Sequence, residues 1–172
     1  MTVDLMTSGT ALIEGKTGRD PEEFLKRMGM IFEEALLSEK LLSSGSQRAE
    51  ISVSFIGSGE MRQLNMQHRM IDMPTDILSF PLWEEDSVFA PPPGWESLPL
   101  GDIVICPEKV LENAGENGKS FVEELVLVMS HGLLHLIGYD HCDSDSERRM
   151  WIRQEGMTAR FFGEEGAENG TE

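Results

Sequence analysis

With 31 acidic residues against 14 basic ones in 172, the chain carries a formal charge of −17, which excludes a broadly basic, non-specific nucleic-acid binder. The length suits one domain with a core of its own, no apolar run is long enough to span a membrane, and MTVDLMTSG lacks the basic-then-apolar pattern of a signal peptide. Two cysteines, Cys106 and Cys142, are too few for a disulfide framework, so the chain reads as cytoplasmic.

Residues 2–6 suit a short edge strand, followed by a Gly/Thr-rich loop. A helix is expected after Asp20 as N-cap, with Pro21 at its first position and Glu23 as capping-box partner. Its apolar stripe runs from Phe24 and Leu25 through Met28, Ile31, Phe32 and Leu36 to about Leu42. Residues 50–57, EISVSFIG, alternate as a strand with Ile51, Val53 and Phe55 on one face. A short helix follows over 60–67 with Met61 and Leu64 inward, then a loop over 69–75 and a second strand over 77–80. Residues 81–99 hold Pro91, Pro92, Pro93, Pro99, Trp83 and Trp95. They read as a long surface loop, because proline removes backbone donors and blocks central strand pairing. The tryptophans either pin this loop to the domain or cover a cleft or partner surface. A third strand is expected over 100–106 with Ile103 and Ile105 on one face, and Pro107 opens a short helix to about Asn113.

Ser120 and Glu123 form a capping box ahead of FVEELVLVMSHGLLHLI, residues 121–137, which is apolar enough to require burial on most sides. A last helix, capped by Asp143 or Ser144, runs through Phe162 with Met150, Trp151, Gln154, Met157 and Phe161 inward. The tail GEEGAENGTE at 163–172 carries four glutamates and no base, and reads as solvated and disordered. These elements make a single α+β domain over 1–162: a small mixed sheet of about four strands packed with helices, the most apolar helix buried at its centre.

The chemistry concentrates in HGLLHLIGYDH, which holds three of the four histidines, His131, His135 and His141. His131 and His135 are four apart and share one helix face. Gly138 can take the left-handed conformation that ends a helix and turns the chain back, returning His141 toward the pair. Three imidazoles converging from a rigid element suit one zinc ion with its fourth position left to water. Such an ion lowers the pKa of the zinc-bound water and polarises a carbonyl or phosphoryl oxygen. Cys142 is a weaker ligand candidate, since it adjoins His141 and adjacent residues need an unusual turn to reach one ion. The unused ring nitrogens require partners, for which Asp140, Asp143 and Asp145 stand nearby; the last two read as well as solvated acids at a helix start. Gly132 either admits a close approach of backbone or leaves space beside the ion.

HGLLHLIGYDH, with LNMQHRMIDMPTDILSFP at 64–81 and LGDIVIC at 100–106, resembles the signature of the YbeY family of ribosomal-RNA maturation endoribonucleases, over roughly residues 50–160. The resemblance implies a zinc-dependent, single-strand-specific endoribonuclease that acts at the 3′ end of small-subunit ribosomal RNA and in ribosome quality control. Its partners would be single-stranded RNA, ribosomal RNA, and the small ribosomal subunit or assembly proteins. The location implied is the bacterial cytoplasm, with an organellar one left open. His131, His135 and His141 would be the metal ligands, and Arg69 a cleft residue required for function. A guanidinium fork matches two phosphate oxygens and can stabilise developing charge. Asp72 and Asp76 are candidates to orient Arg69 or shape its loop; His68 either touches RNA or fills space. The general base is unassigned, and attack by zinc-bound hydroxide and by the RNA 2′-hydroxyl both stand open.

The histidine spacing is also similar to the HExxHxxGxxH of metzincin proteases, but Gly132 stands where those have their general-base glutamate. The alternatives are therefore a metal-dependent hydrolase of a peptide or other small substrate, and a ribosome assembly factor whose zinc is mainly structural. Basic residues outside the tail are scattered. Arg148 and Arg149 are candidates to join Arg69 in a narrow basic groove on the acidic body; dependence on a ribosomal partner would also reconcile the charge with an RNA substrate.

Overall fold

The computed structural model describes residues 2–39, 47–85, 88–140 and 143–163. Strand β1 (Thr2–Ser8) leads through a tight turn at Thr10–Ile13 into α1 (Pro21–Ser38). Asp20 caps α1 by accepting a hydrogen bond from the backbone N–H of Glu22 at 2.8 Å, while Glu23 lies 3.5 Å from Arg19. The helix ends at Ser38; Leu42, where its stripe was expected to stop, lies outside the described residues. There follow β2 (Arg48–Phe55), α2 (Ser58–Arg69), β3 (Ile77–Pro81), β4 (Glu84–Glu85), β5 (Val88–Phe89) and β6 (Ser97–Ile105). Three helices complete the fold: α3 (Pro107–Asn117), α4 (Phe121–Leu136) and α5 (Ser144–Gly163).

The main sheet has four strands in the order β1-β2-β6-β3, parallel except for β3, which runs antiparallel to β6. Strand alternation sends Ile51, Val53 and Phe55 of β2 and Ile103 and Ile105 of β6 into one large core, with no more than 2% of any of them exposed. Helices α1, α4 and α5 contribute most of the other residues of that core, joined by Ile13, Ile77 and Val110 among others. On the second face Leu78 of β3 packs with Met61 of α2 and with Cys106, a buried free thiol. Leu125, Met129, Leu133 and Leu136 of α4 are fully buried. At about 1.5–3 kcal/mol for each large apolar side chain removed from water, this burial outweighs the propensity losses of roughly 0.5–1 kcal/mol at valine or glycine positions.

Three expectations need correcting. Proline does enter a central strand: Pro99 pairs opposite Glu50 where the β2–β6 register shifts between Glu50 and Ile51, so it occupies an irregularity rather than a regular ladder. The remainder of the 81–99 segment is not wholly loop, since β4 and β5 pair antiparallel. Its tryptophans pin it down: Trp83 and Trp95 pack half-buried against the core, and Trp83 Nε1–H donates to the Pro99 carbonyl at 2.6 Å. In α5 the inner face is Met150, Gln154, Met157 and Phe161, whereas Trp151 is 55% exposed. Those four follow an i, i+4, i+7, i+11 spacing that leaves Trp151 one helical step off the buried stripe.

At Gly132 helix α4 lies close against the sheet. A Cβ there would lie 2.8 Å from Ile77 Cδ1 and 3.1 Å from two Ile103 carbons. Gly132→Ala is therefore expected to destabilise by about 1–2 kcal/mol, as overpacking exceeds the helix-propensity gain. Gly156→Ala in α5, where a Cβ would meet nothing within 4 Å, should instead stabilise by about 0.5–1 kcal/mol. Urea melts of the two variants against wild type check the opposite signs.

Candidate metal centre and its cleft

Helix α4 fixes the histidines. At its start the Ser120 hydroxyl accepts from the Glu123 N–H at 3.2 Å, and the Glu123 carboxylate accepts from the Ser120 N–H at 2.7 Å, which closes the expected capping box and holds the Glu123 carboxyl below its ordinary range. At its end the Gly138 N–H donates to the His135 carbonyl at 3.1 Å and the Tyr139 N–H to the Leu134 carbonyl at 3.0 Å. That pair of bonds is a Schellman closure, and it needs the positive φ of 90° that Gly138 supplies. The chain thus turns at Gly138, three residues after His135. His141 and Cys142, the next candidates, lie outside the described residues.

His131 and His135 are half-buried, with their Nε2 atoms 3.0 Å apart. Two imidazole nitrogens on a tetrahedral zinc stand about 3.3 Å apart, given bonds of about 2.0–2.1 Å, so the pair fits a shared ion with a few tenths of an ångström of adjustment. His131 Nδ1 faces Gln154 Oε1 at 3.2 Å. An amide oxygen there pairs with Nδ1–H, the tautomer that leaves the Nε2 lone pair for a metal. Among the described residues no group of three or more His, Cys, Asp and Glu is placed to hold an ion; the third imidazole of the expected set is His141.

His131 opens onto a cavity of about 220 Å³ lined also by Arg69, Thr75, Asp76, Glu124 and Gln154. Arg69 is the last residue of α2 rather than the start of a loop, because α2 runs two residues beyond the expected Gln67 before Met70 ends it at φ 59°. Among the described residues the Arg69 side chain makes no hydrogen bond or ion pair. Asp76 shapes the loop beside it: Oδ1 accepts from the Ile77 N–H at 2.9 Å and the Thr75 hydroxyl at 3.1 Å, and Oδ2 from Asn113 Nδ2 at 3.2 Å. The same geometry is therefore a donor-rich cation, a metal-capable imidazole and an ordered carboxylate around one small space.

The sequence profile of endoribonuclease YbeY matches residues 14–161. The chain belongs to the YbeY family. It is 46% identical over 119 residues to endoribonuclease YbeY of Shouchella clausii, covering 67% of this chain and 74% of that one. With the Bacillus licheniformis YbeY it shares 35% identity over 150 residues, 87% and 92% of the two chains. A solution structure from Thermotoga maritima superposes with a TM-score of 0.59 at 28% identity, over 96% of this chain and 93% of that one.

In this YbeY-family chain the structure decides between several of the roles left open by the sequence and corrects others. Asp72 does not hold Arg69; both its carboxylate oxygens receive the fork of Arg62 at 2.8 Å. Asp143 Oδ1 accepts the N–H groups of Asp145 and Ser146 at 2.9 and 2.8 Å, which makes it the cap of α5. The partner of His131 is Gln154, read from sequence as a core residue; the signal was a polar side chain, 7% exposed, within an otherwise apolar stripe. Glu124, 5% exposed on the most apolar helix, carried the same signal. His68 lies edge-on to Phe80 at 4.8 Å between ring centroids. Arg153 pairs with Glu39 at 2.7 Å and Arg160 with Glu34 at 3.0 Å, so much of the basic charge is already neutralised. Arg149 lines a different cavity from Arg69, beside Gly138 and Asp140.

The Arg62 guanidinium holds the Asp72 carboxyl below the usual carboxylate range. A depressed acid contributes stability above its unfolded pKa and loses it as pH falls through the folded value. Both side chains are exposed, so the contribution is small. Carboxyl-detected NMR should place the Asp72 midpoint below that of an ordinary aspartate and return it upward in Arg62→Ala; an unmoved midpoint would show that the fork does not persist in solution.

Proposed function

We propose that this chain is a metal-dependent endoribonuclease of single-stranded RNA, acting on the 3′ end of small-subunit ribosomal RNA and in ribosome quality control. Membership of the YbeY family supports this. The observation that carries it is that Arg69 and His131 line one cavity, so a phosphate-matching fork and a metal-capable nitrogen address the same space. Residues 1–162 act as one catalytic domain, and 163–172 form an acidic tail.

In this reading His131, His135 and His141 hold one zinc ion. When bound, that ion supplies Lewis acidity at a phosphoryl oxygen. Gln154 keeps His131 in the tautomer that presents Nε2. Arg69 grips two non-bridging phosphate oxygens and offsets the charge that grows there as the bond breaks. A cavity of about 220 Å³ has room for part of one nucleotide beside Arg69 and His131. A peptidase of the metzincin type is disfavoured, because Gly132 supplies no general-base carboxylate and a Cβ there would point at Ile77 and Ile103 of the sheet. With a charge of −17, binding to naked RNA is expected to be weak and the small subunit or its assembly proteins to supply affinity.

The test is cleavage of an end-labelled single strand spanning the small-subunit 3′ region, of the same sequence as duplex, and of assembled small subunits. Cutting of the single strand or of the subunit, lost on chelation and restored by zinc, supports the proposal, and cyclic-phosphate ends would identify attack by the 2′-hydroxyl. Cutting that survives chelation, or no cutting of either substrate, overturns it.

A further inference from the structure

Helix α4 carries one more polar residue on its histidine face. Glu124 stands seven residues, two helical turns, before His131 and lines the same cavity as Arg69. It is 5% exposed. Its contacts to the end of α3 and the turn after it are long: Asn117 Nδ2 donates to Oε1 at 3.5 Å, and Lys119 Nζ stands 3.6 Å from Oε2. Among the described residues no hydrogen bond reaches Oε2. A buried carboxylate oxygen that faces a lysine at 3.6 Å and, among the described residues, accepts no hydrogen bond has capacity for a closer donor. Asp76, the other carboxylate of the cavity, has both oxygens occupied by Thr75, Ile77 and Asn113.

We propose that Glu124 determines sugar specificity by accepting a hydrogen bond from the ribose 2′-hydroxyl of the nucleotide whose 3′-phosphate engages Arg69. This rests on the nuclease reading above. A carboxylate only accepts, so it repels phosphate and selects a donor. The donors on a ribonucleotide are base N–H groups and sugar hydroxyls. Base donors change with sequence and lie across the sugar from the 3′-phosphate. The 2′-hydroxyl is vicinal to that phosphate in every ribonucleotide, and so shares a small cavity with the phosphate-binding arginine. It is also the group that separates RNA from DNA. A site built to bond a hydroxyl rejects the analogue lacking it, because its own polar atom is then left unpaired.

Uridine 3′-monophosphate and its 2′-deoxy counterpart probe this without turnover. Both are titrated into the zinc-loaded full chain of wild type, Glu124→Gln and Glu124→Leu, and followed by amide NMR, which also reports whether each variant is folded. Wild type should bind the ribonucleotide about tenfold more tightly. That ratio should fall toward one in Glu124→Leu and take an intermediate value in Glu124→Gln, which keeps a neutral acceptor; if the leucine variant unfolds, the fall in the glutamine variant decides. Equal binding of the two nucleotides by wild type, or an unchanged ratio in the variants, overturns the role of Glu124 and leaves the nuclease reading standing. Binding of neither nucleotide by wild type overturns the nucleotide assignment of the cavity and this proposal with it.

Discussion

His135→Ala should reduce RNA cleavage by at least about a hundredfold and remove bound zinc, while the protein stays folded. Loss of a partner outside the metal shell already lowers metal affinity or activity by about 10–100-fold in metalloenzymes, and loss of a ligand acts more directly. The fold should tolerate the change because His135 is half-buried and the packing of α4 rests on Leu125, Met129, Leu133 and Leu136. The Schellman closure that ends α4 uses backbone groups of Leu134, His135, Gly138 and Tyr139, which alanine preserves. Zinc content, cleavage rate and thermal melting measured on one preparation separate the outcomes. Wild-type cleavage by the zinc-free variant would remove the histidine pair from the reaction.

Arg69→Lys should lower kcat/KM by about 10²–10³-fold with zinc content unchanged. Lysine keeps the charge but has no planar fork, so it meets one phosphate oxygen where arginine meets two. The magnitude is that of removing one oriented donor from developing charge. Because Arg69 makes no ion pair among the described residues, stability should move by no more than about 0.5 kcal/mol. The salt dependence of RNA binding should be retained in Arg69→Lys and lose about one unit of slope in Arg69→Ala. Equal activity of lysine and arginine at this position would show that only charge is used.

The parts of this fold that were legible in the sequence are those encoded by local chemistry. Ser120 and Glu123 announce a capping box, Asp20 and Pro21 a helix start, and Gly138 a helix end, because each needs only its immediate neighbours. The alternation in β2 exposes its buried face for the same reason. What could not be read depends on residues distant in the chain. Met70 ends α2 in a left-handed conformation that glycine normally signals, so no local residue type marks the helix end at Arg69. Pro99 enters a central strand only because the register of β2 against β6 shifts beside it. In the site, the spacing of His131 and His135 put both on one face of α4, and the structure places them there. The partner of His131 comes from α5, 23 residues away, and no local pattern names Gln154. Arg62 and Asp72 likewise meet through the turn of the loop, a pairing that charge composition alone does not specify.

The most direct test of the account is zinc-edge X-ray absorption on the purified full chain. A hydrolytic centre at His131, His135 and His141 predicts three imidazole nitrogens at about 2.0–2.1 Å and one exchangeable oxygen. A sulfur neighbour at about 2.3 Å, completing four protein ligands with Cys142, would instead describe a structural ion and contradict the nuclease centre.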